Sequence, residues 1–248
     1  MLFLRLLVVA GFLVQFIGER SSAAYKLEPI SSVFAPTGSN ATQSFEIIND
    51  GSDRIALTVS VLTLERDEAY VETNRDAEDE FLVYPAQIIL SPGKRQTLRV
   101  TWLGNPKPTR ELTYRIVVQQ VPIELLDPKA KPSPELEGRV RVMLAYRGTL
   151  FIRPPKASPS IVVEARPASN NALVLTLVNR GAAVGLVKSC SVTLQPAKGP
   201  SIEVPANALG VMRNHRVLAG GRRRYILTWP AGLSPQPLKA IGRCVVES

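Results

Sequence analysis

Two stretches of alternating apolar and polar residues constrain this chain more than anything else in it. In RELTYRIVVQQVPI, which begins at Arg110, the residues Tyr114, Ile116 and Val118 share one face; in GRVRVMLAYRGTLFIRPP, which ends at Pro155, Val140, Val142 and Leu144 do the same. A period of two is the period of a half-buried β-strand, not of a helix. Arg139 and Arg141 point away from the Val/Leu row. That row is then either core or a surface that waits for a partner.

Between the two stretches runs PIELLDPKAKPSPELE, from Pro122 to Glu137, with prolines at 122, 128, 132 and 134. Proline has no backbone N–H to give to a ladder, so this segment is predicted to be a loop. Pro154, Pro155 and Lys156 close the second strand, and a new strand series begins near Ser160. The domain boundary is therefore expected at 155/156, after a domain spanning 25–155 and before one spanning 156–248.

Both halves repeat one pattern of strand, turn and strand. Phe45 and Ile47 alternate with polar residues up to a turn at Asn49-Asp50-Gly51-Ser52, and Ile55, Leu57, Val59 and Val61 alternate after it. AQIIL, the turn SPGK and QTLRVTW follow, the last with Leu98, Val100 and Trp102 on one face. In the second half Leu173, Leu175 and Leu177 lead to a turn at Asn179-Arg180-Gly181, then to a long strand around Val187 to Leu194; Tyr225, Leu227 and Trp229 alternate later. Many short alternating strands with few helical patterns and 20 prolines predict an all-β chain of two β-sandwich domains.

The N-terminus reads MLFLR, an apolar run from Leu6 to Gly18, then Glu19, Arg20 and small residues to Ala24. This is the pattern of a secretory signal peptide over residues 1–24, with cleavage expected after Ala23 or Ala24. The run is shorter than the ~18–20 residues that span a bilayer. An uncleaved anchor is the alternative. The formal charge of +9 suits an anionic partner or simple solubility, and export argues against nucleic acid. The two cysteines, Cys190 and Cys244, lie in alternating contexts; a disulfide would fit an oxidising compartment, and two buried thiols are the other possibility.

Few residues suit catalysis. His215 is the sole histidine, so no His-rich metal site can be built, and it stands in a predicted turn without a nucleophile elbow nearby; it is expected on the surface. The acidic residues between Glu65 and Glu80 lack the spacing of a calcium loop and are expected to form a solvated loop face. Arg222, Arg223 and Arg224 are expected to be solvated as well. No glycine loop precedes a helix to cradle phosphate, and no metal site or enzyme activity is predicted.

Taken together, the N-terminal pattern, the two sandwiches, LSPGKRQTLRVTW, RELTYRIVVQQVPIEL and RVRVMLAYRGTLFIRPP resemble the periplasmic pilus-assembly chaperones of the chaperone-usher pathway. The weaker matches LVLTLVNRGAAVGL and GGRRRYILTW extend the resemblance over the second domain. It implies two immunoglobulin-like β-sandwiches in an L-shaped or boomerang arrangement, located in the periplasm. It also implies a function without ATP or cofactor: holding an incomplete pilin by lending it a strand, then delivering it to an outer-membrane usher. In this chain the loaned row would be Val140, Val142 and Leu144. Free chaperone could self-associate through the same strand.

Family members anchor the pilin's terminal carboxylate with basic residues. The positions used by the best-known branch match Ser31 and Thr149 here, and neither can act as a cation. The archaic branch, associated with spore-coat-U-like pilins, is similar in TYRIVVQQVPI, which makes Arg115 the implied anchor and Arg147 a second cation; a purely structural Arg115 is the alternative. Glu111 and Arg153 match the family's interdomain ion pair, while its acidic partner in the second domain has no clear match. The competing function is an exported immunoglobulin-like adhesion or ligand-binding module with a cationic cleft.

Overall fold

The computed structural model describes residues 25–122, 143–168, 171–231, 233 and 236–248. Among the described residues the first domain contains eleven strands: β1 (Lys26–Glu28), β2 (Ser31–Phe34), β3 (Thr42–Ile48), β4 (Ile55–Thr63), β5 (Glu65–Arg66), β6 (Glu72–Thr73), β7 (Phe81–Tyr84), β8 (Gln87–Leu90), β9 (Arg95–Trp102), β10 (Leu112–Gln120) and β11 (Ala145–Ile152). They form two facing sheets, β1-β3-β9-β7 and β2-β11-β10-β4-β8, with β5 and β6 as a separate two-stranded hairpin. The chain changes sheets between β1 and β2. Residues 1–24, and the predicted loop from 123 onward with Arg139, Val140, Arg141 and Val142, lie outside the described residues.

Alternation places the core. Phe45, Ile47, Leu57, Leu98, Ile116, Leu150 and Ile152 are fully buried between the sheets, each contributing about 1.5–3 kcal/mol by leaving water. Trp102, Phe81 and Tyr114 close one end as edge-on aromatics, with ring centroids 5.0–5.4 Å apart. At the other end Tyr25 is buried, its hydroxyl lying 2.7 Å from the Val118 carbonyl and 2.9 Å from that of Leu144. Burial pushes its pKa up to about 12, so it stays a neutral donor.

The second domain pairs β12 (Ile161–Ala168), β13 (Ala172–Asn179) and β17 (Arg222–Thr228) in one sheet. The other sheet is built on β14 (Gly185–Pro196), which pairs with β15 (Ile202–Glu203), β16 (Arg216–Val217) and β18 (Leu238–Glu247). Leu173, Leu175, Leu177, Val187, Leu194, Tyr225 and Trp229 fill the space between them. Cys190 and Cys244 stand directly opposite each other on β14 and β18 and form a disulfide.

The same turn device recurs in both domains. Asn49 is fully buried: its amide donates to the carbonyls of Asp53 and Leu90, and its side-chain oxygen accepts from Gly51 N–H. Asn179 donates to Ala183 and Val217 and accepts from Gly181 and Ser160. Each asparagine satisfies buried and half-buried backbone groups of an irregular turn, which is why a buried polar side chain is stable there.

Candidate functional site

The β10–β11 pair carries the site. Its register sets Arg115 opposite Thr149 and Val117 opposite Arg147, so both arginines project from the face away from the core. β11 also pairs in parallel with β2, which puts Ser31 beside Thr149. Gly148 makes that approach possible, because a Cβ there would sit 2.9 Å from the Ile30 carbonyl oxygen and 2.7 Å from Ile116 Cγ2. β2 covers β11 at Thr149–Ile152 alone, whereas β10 covers Ala145–Ile152. Among the described residues, then, one edge of Ala145–Arg147 has no strand neighbour.

Arg115 does not face open water. Its Nε and Nη2 donate in parallel to the two oxygens of Glu72 at 2.9 and 2.7 Å, and Nη1 donates to Thr149 Oγ1 at 2.6 Å. The same carboxylate accepts from Arg66 Nη2 at 2.5 Å, Arg147 Nη2 at 3.2 Å and Asn74 Nδ2 at 3.1 Å. Three guanidiniums thus converge on one carboxylate. Hydrogen bonding to Arg115 above all, against the opposing effect of burial, holds the Glu72 pKa down at about 2. The paired donors of Arg115 match the two oxygens of a carboxylate, a fit that lysine's point charge cannot provide.

Glu72 belongs to the acidic stretch that was expected to form a solvated loop, and here the structure corrects the sequence. Residues 65–73 fold into the β5–β6 hairpin and reach the second domain. Glu68 accepts from Arg222 Nε at 2.6 Å, its carbonyl accepts from Arg224 N–H at 2.7 Å, and the Arg223 guanidinium lies 3.5 Å from the centre of the Tyr70 ring. Tyr70 takes a positive φ of 68°, which a bulky side chain adopts only when its surroundings hold it. No glycine or asparagine marks that turn, so nothing in the local sequence announced it.

Of the three arginines of β17, the side chains of Arg222 and Arg223 are accordingly not merely solvated, while Arg224 is exposed and meets Glu68 through its backbone. Arg222 also pairs with Glu164 at 2.6 Å. His215, expected on the surface, is half-buried; it stacks on Tyr225, and its Nδ1 lies 3.0 Å from the tyrosine hydroxyl. Burial, and then the charge of Arg223, lower its pKa and so favour the neutral ring. Among the described residues no group of three or more His, Cys, Asp or Glu side chains is placed to hold a metal ion.

A cleft of about 310 Å³ runs along this surface, lined by Ser31, Arg66, Arg115, Thr149, Arg216 and Arg223 among others. Beside it Glu111 and Arg153, both in the first domain, pair at 2.7 Å. From the second domain, backbone groups meet Glu111: its N–H donates to the Ala182 carbonyl at 2.7 Å, and Val184 N–H approaches its carboxylate at 3.4 Å. Leu144, just before β11, is half-buried against the first core, and Val140 and Val142 lie outside the described residues.

The family model for pili and flagellar-assembly chaperones, PapD N-terminal domain, matches residues 29–158, more than half of the chain. The chain belongs to this chaperone family.

The family, rather than the fold, separates this chaperone from an adhesion module, since both would be β-sandwiches. Its solved neighbours share the two-domain architecture. A chain of the CsuC–CsuE chaperone–tip adhesion subunit pre-assembly complex, from archaic chaperone-usher Csu pili of Acinetobacter baumannii, matches at 15% identity and a TM-score of 0.58, over 89% of this chain and 98% of that one. The class 5 fimbriae chaperone CfaA matches at 15% identity and 0.56, over 90% and 100%. The E. coli chaperone DraB matches at 20% identity and 0.52, over 84% and 85%. No curated protein matches the chain by sequence. The family consists of non-enzymatic pilus-assembly chaperones.

Proposed function

We propose that the chaperone binds pilus subunits along β11, lends them strand edge and apolar side chains, anchors their terminal carboxylate on Arg115, and passes them to an outer-membrane usher. The observation that carries this reading is the bidentate capture of a carboxylate by Arg115, with Arg66 and Arg147 converging on it. A site that binds the Glu72 carboxylate in this way has the donors to bind the carboxylate at the end of a polypeptide. The uncovered edge at Ala145–Arg147 lies on the same strand and supports strand addition, in which main-chain hydrogen bonds give affinity and alternate side chains give specificity.

In this reading Val140, Val142 and Leu144 fill the groove of an incomplete pilin, and Arg147 assists Arg115. Ser31 and Thr149 support a place near the archaic branch, because they leave the anchoring charge to Arg115. Residues 1–24 serve as a cleaved signal peptide, and the Cys190–Cys244 disulfide is consistent with an oxidising periplasm. Free chaperone pairs with a second copy through the same edge. The test is co-purification with a co-expressed pilin: Arg115→Ala is expected to lose the pilin while its circular dichroism stays that of wild type. Wild-type retention of the pilin refutes the anchor.

A further inference from the structure

Glu72 is an unusual occupant for a ligand site, since it belongs to the protein itself. We infer that Glu72 is a built-in substitute for the cargo's terminal carboxylate, held in the arginine site by a hairpin strapped to the second domain, and that cargo binding displaces it. The inference rests on the anchor reading above and adds how that site is kept until cargo arrives.

Three observations carry it. First, Glu72 uses the paired Nε and Nη2 donors of Arg115, the pair a terminal carboxylate would need, so cargo and Glu72 cannot both hold them. Second, Glu72 stands on a two-residue strand whose sheet partner is β5 alone, not on either sandwich sheet. It can leave without breaking a core ladder. Third, across the domain boundary the hairpin tip is held by the partly exposed Glu68–Arg222 pair, by Tyr70 beneath Arg223 and by a single backbone hydrogen bond from Arg224 to Glu68, while Tyr70 carries a left-handed backbone. Partly exposed ion pairs are weak, so the strap can be exchanged for a better ligand.

An unoccupied cluster of Arg66, Arg115 and Arg147 would be a strong, indiscriminate anion site. With Glu72 in place, a free anion must compete with a tethered carboxylate, whereas a pilin brings strand pairing and groove filling as well. The substitute therefore favours carboxylates that arrive as part of a strand. The hairpin also joins the two domains, so displacing Glu72 loosens the contact of Glu68 and Tyr70 with β17.

The probe is a synthetic peptide of alternating valine and threonine ending in a free carboxylate, with its C-terminal amide as control, measured against wild type, Glu72→Gln and Arg115→Ala. Removing a competitor that leaves the site free about one-tenth of the time should tighten binding roughly tenfold. Glu72→Gln should therefore bind the acid peptide roughly tenfold more tightly than wild type and the amide unchanged, while Arg115→Ala weakens the acid peptide. If Glu72→Gln binds the acid no better, or worse, and Arg115→Ala still weakens it, Glu72 merely positions the arginines and the inference fails while the anchor stands. If wild type does not distinguish acid from amide and Arg115→Ala changes nothing, the anchor fails and the inference with it. A measurement on the wild type guards against a variant that does not fold: the acid peptide, not the amide, should speed hydrogen exchange across residues 65–73. Unchanged or slower exchange there overturns the inference.

Discussion

Arg153→Ala should destabilise the chaperone more than Glu111→Ala, although the two residues share a single ion pair. The reason is depth. The Glu111 side chain has no exposed surface, while that of Arg153 keeps 24%. One carboxylate oxygen of Glu111 is already buried without a hydrogen-bond partner, so losing Arg153 leaves the charge with little beyond Val184 N–H at 3.4 Å. Removing one member of a buried pair in this way costs about 3–5 kcal/mol. Truncating Glu111 instead leaves a guanidinium that can turn toward water, and the loss approaches that of one charged hydrogen bond, about 1.5–3 kcal/mol. The double variant Glu111→Leu/Arg153→Met removes both charges and should recover most of the larger loss. Urea unfolding followed by tryptophan fluorescence is a suitable assay, because Trp102 reports the first domain and Trp229 the second. Both signals should shift, since Glu111 is bonded to Ala182 across the boundary. If Glu111→Ala costs as much as Arg153→Ala, or if the double variant equals the sum of the singles, unequal burial does not set these energies.

Replacing both Cys190 and Cys244 with serine opens a crosslink spanning 54 residues and should lower stability by about 4 kcal/mol in the chain-entropy account, read as a lower urea midpoint for Trp229. Glu72, held at about 2 against an unfolded value of 4.5, contributes stability that is fully present above pH 4.5 and is lost as pH falls toward 2. At most about 3 kcal/mol is involved, nearer about 1–2 once solvent screening is allowed for, and the wild-type minus Glu72→Gln difference in urea midpoint should shrink over that window. Asn179→Ala should cost about 2–4 kcal/mol by orphaning two buried carbonyls, and Asn49→Ala about 1–3 kcal/mol because only the Leu90 carbonyl is buried, both visible as lower melting temperatures.

The strands were legible because burial on one face writes a period of two into the chain. Phe45 and Ile47, Leu98, Val100 and Trp102, and Leu173, Leu175 and Leu177 all face a core as their alternation predicts. The turns at Asn49 and Asn179 were legible for a different reason, since asparagine followed two residues later by glycine satisfies its own turn. Arg115 was singled out by its outward parity on a core strand and by resemblance. Its partner was not. Glu72 lies in a run of acids that composition assigns to solvent, and its hairpin turns at Tyr70, a residue no turn rule favours. The half-burial of His215 was missed for the same reason: what covers it comes from elsewhere in the chain.

Local alternation, turn chemistry and proline placement were therefore enough to determine the all-β class, most of the strands and which face of each is apolar, because those properties depend on neighbours within a few residues. Which charges meet was decided by tertiary structure alone. Arg115 and Arg147 lie 43 and 75 positions from Glu72, and with Arg66 they converge on it only when β10 and β11 pair and the hairpin folds over them. Electrostatic partnership depends on distance in space, and no periodicity along the chain encodes it.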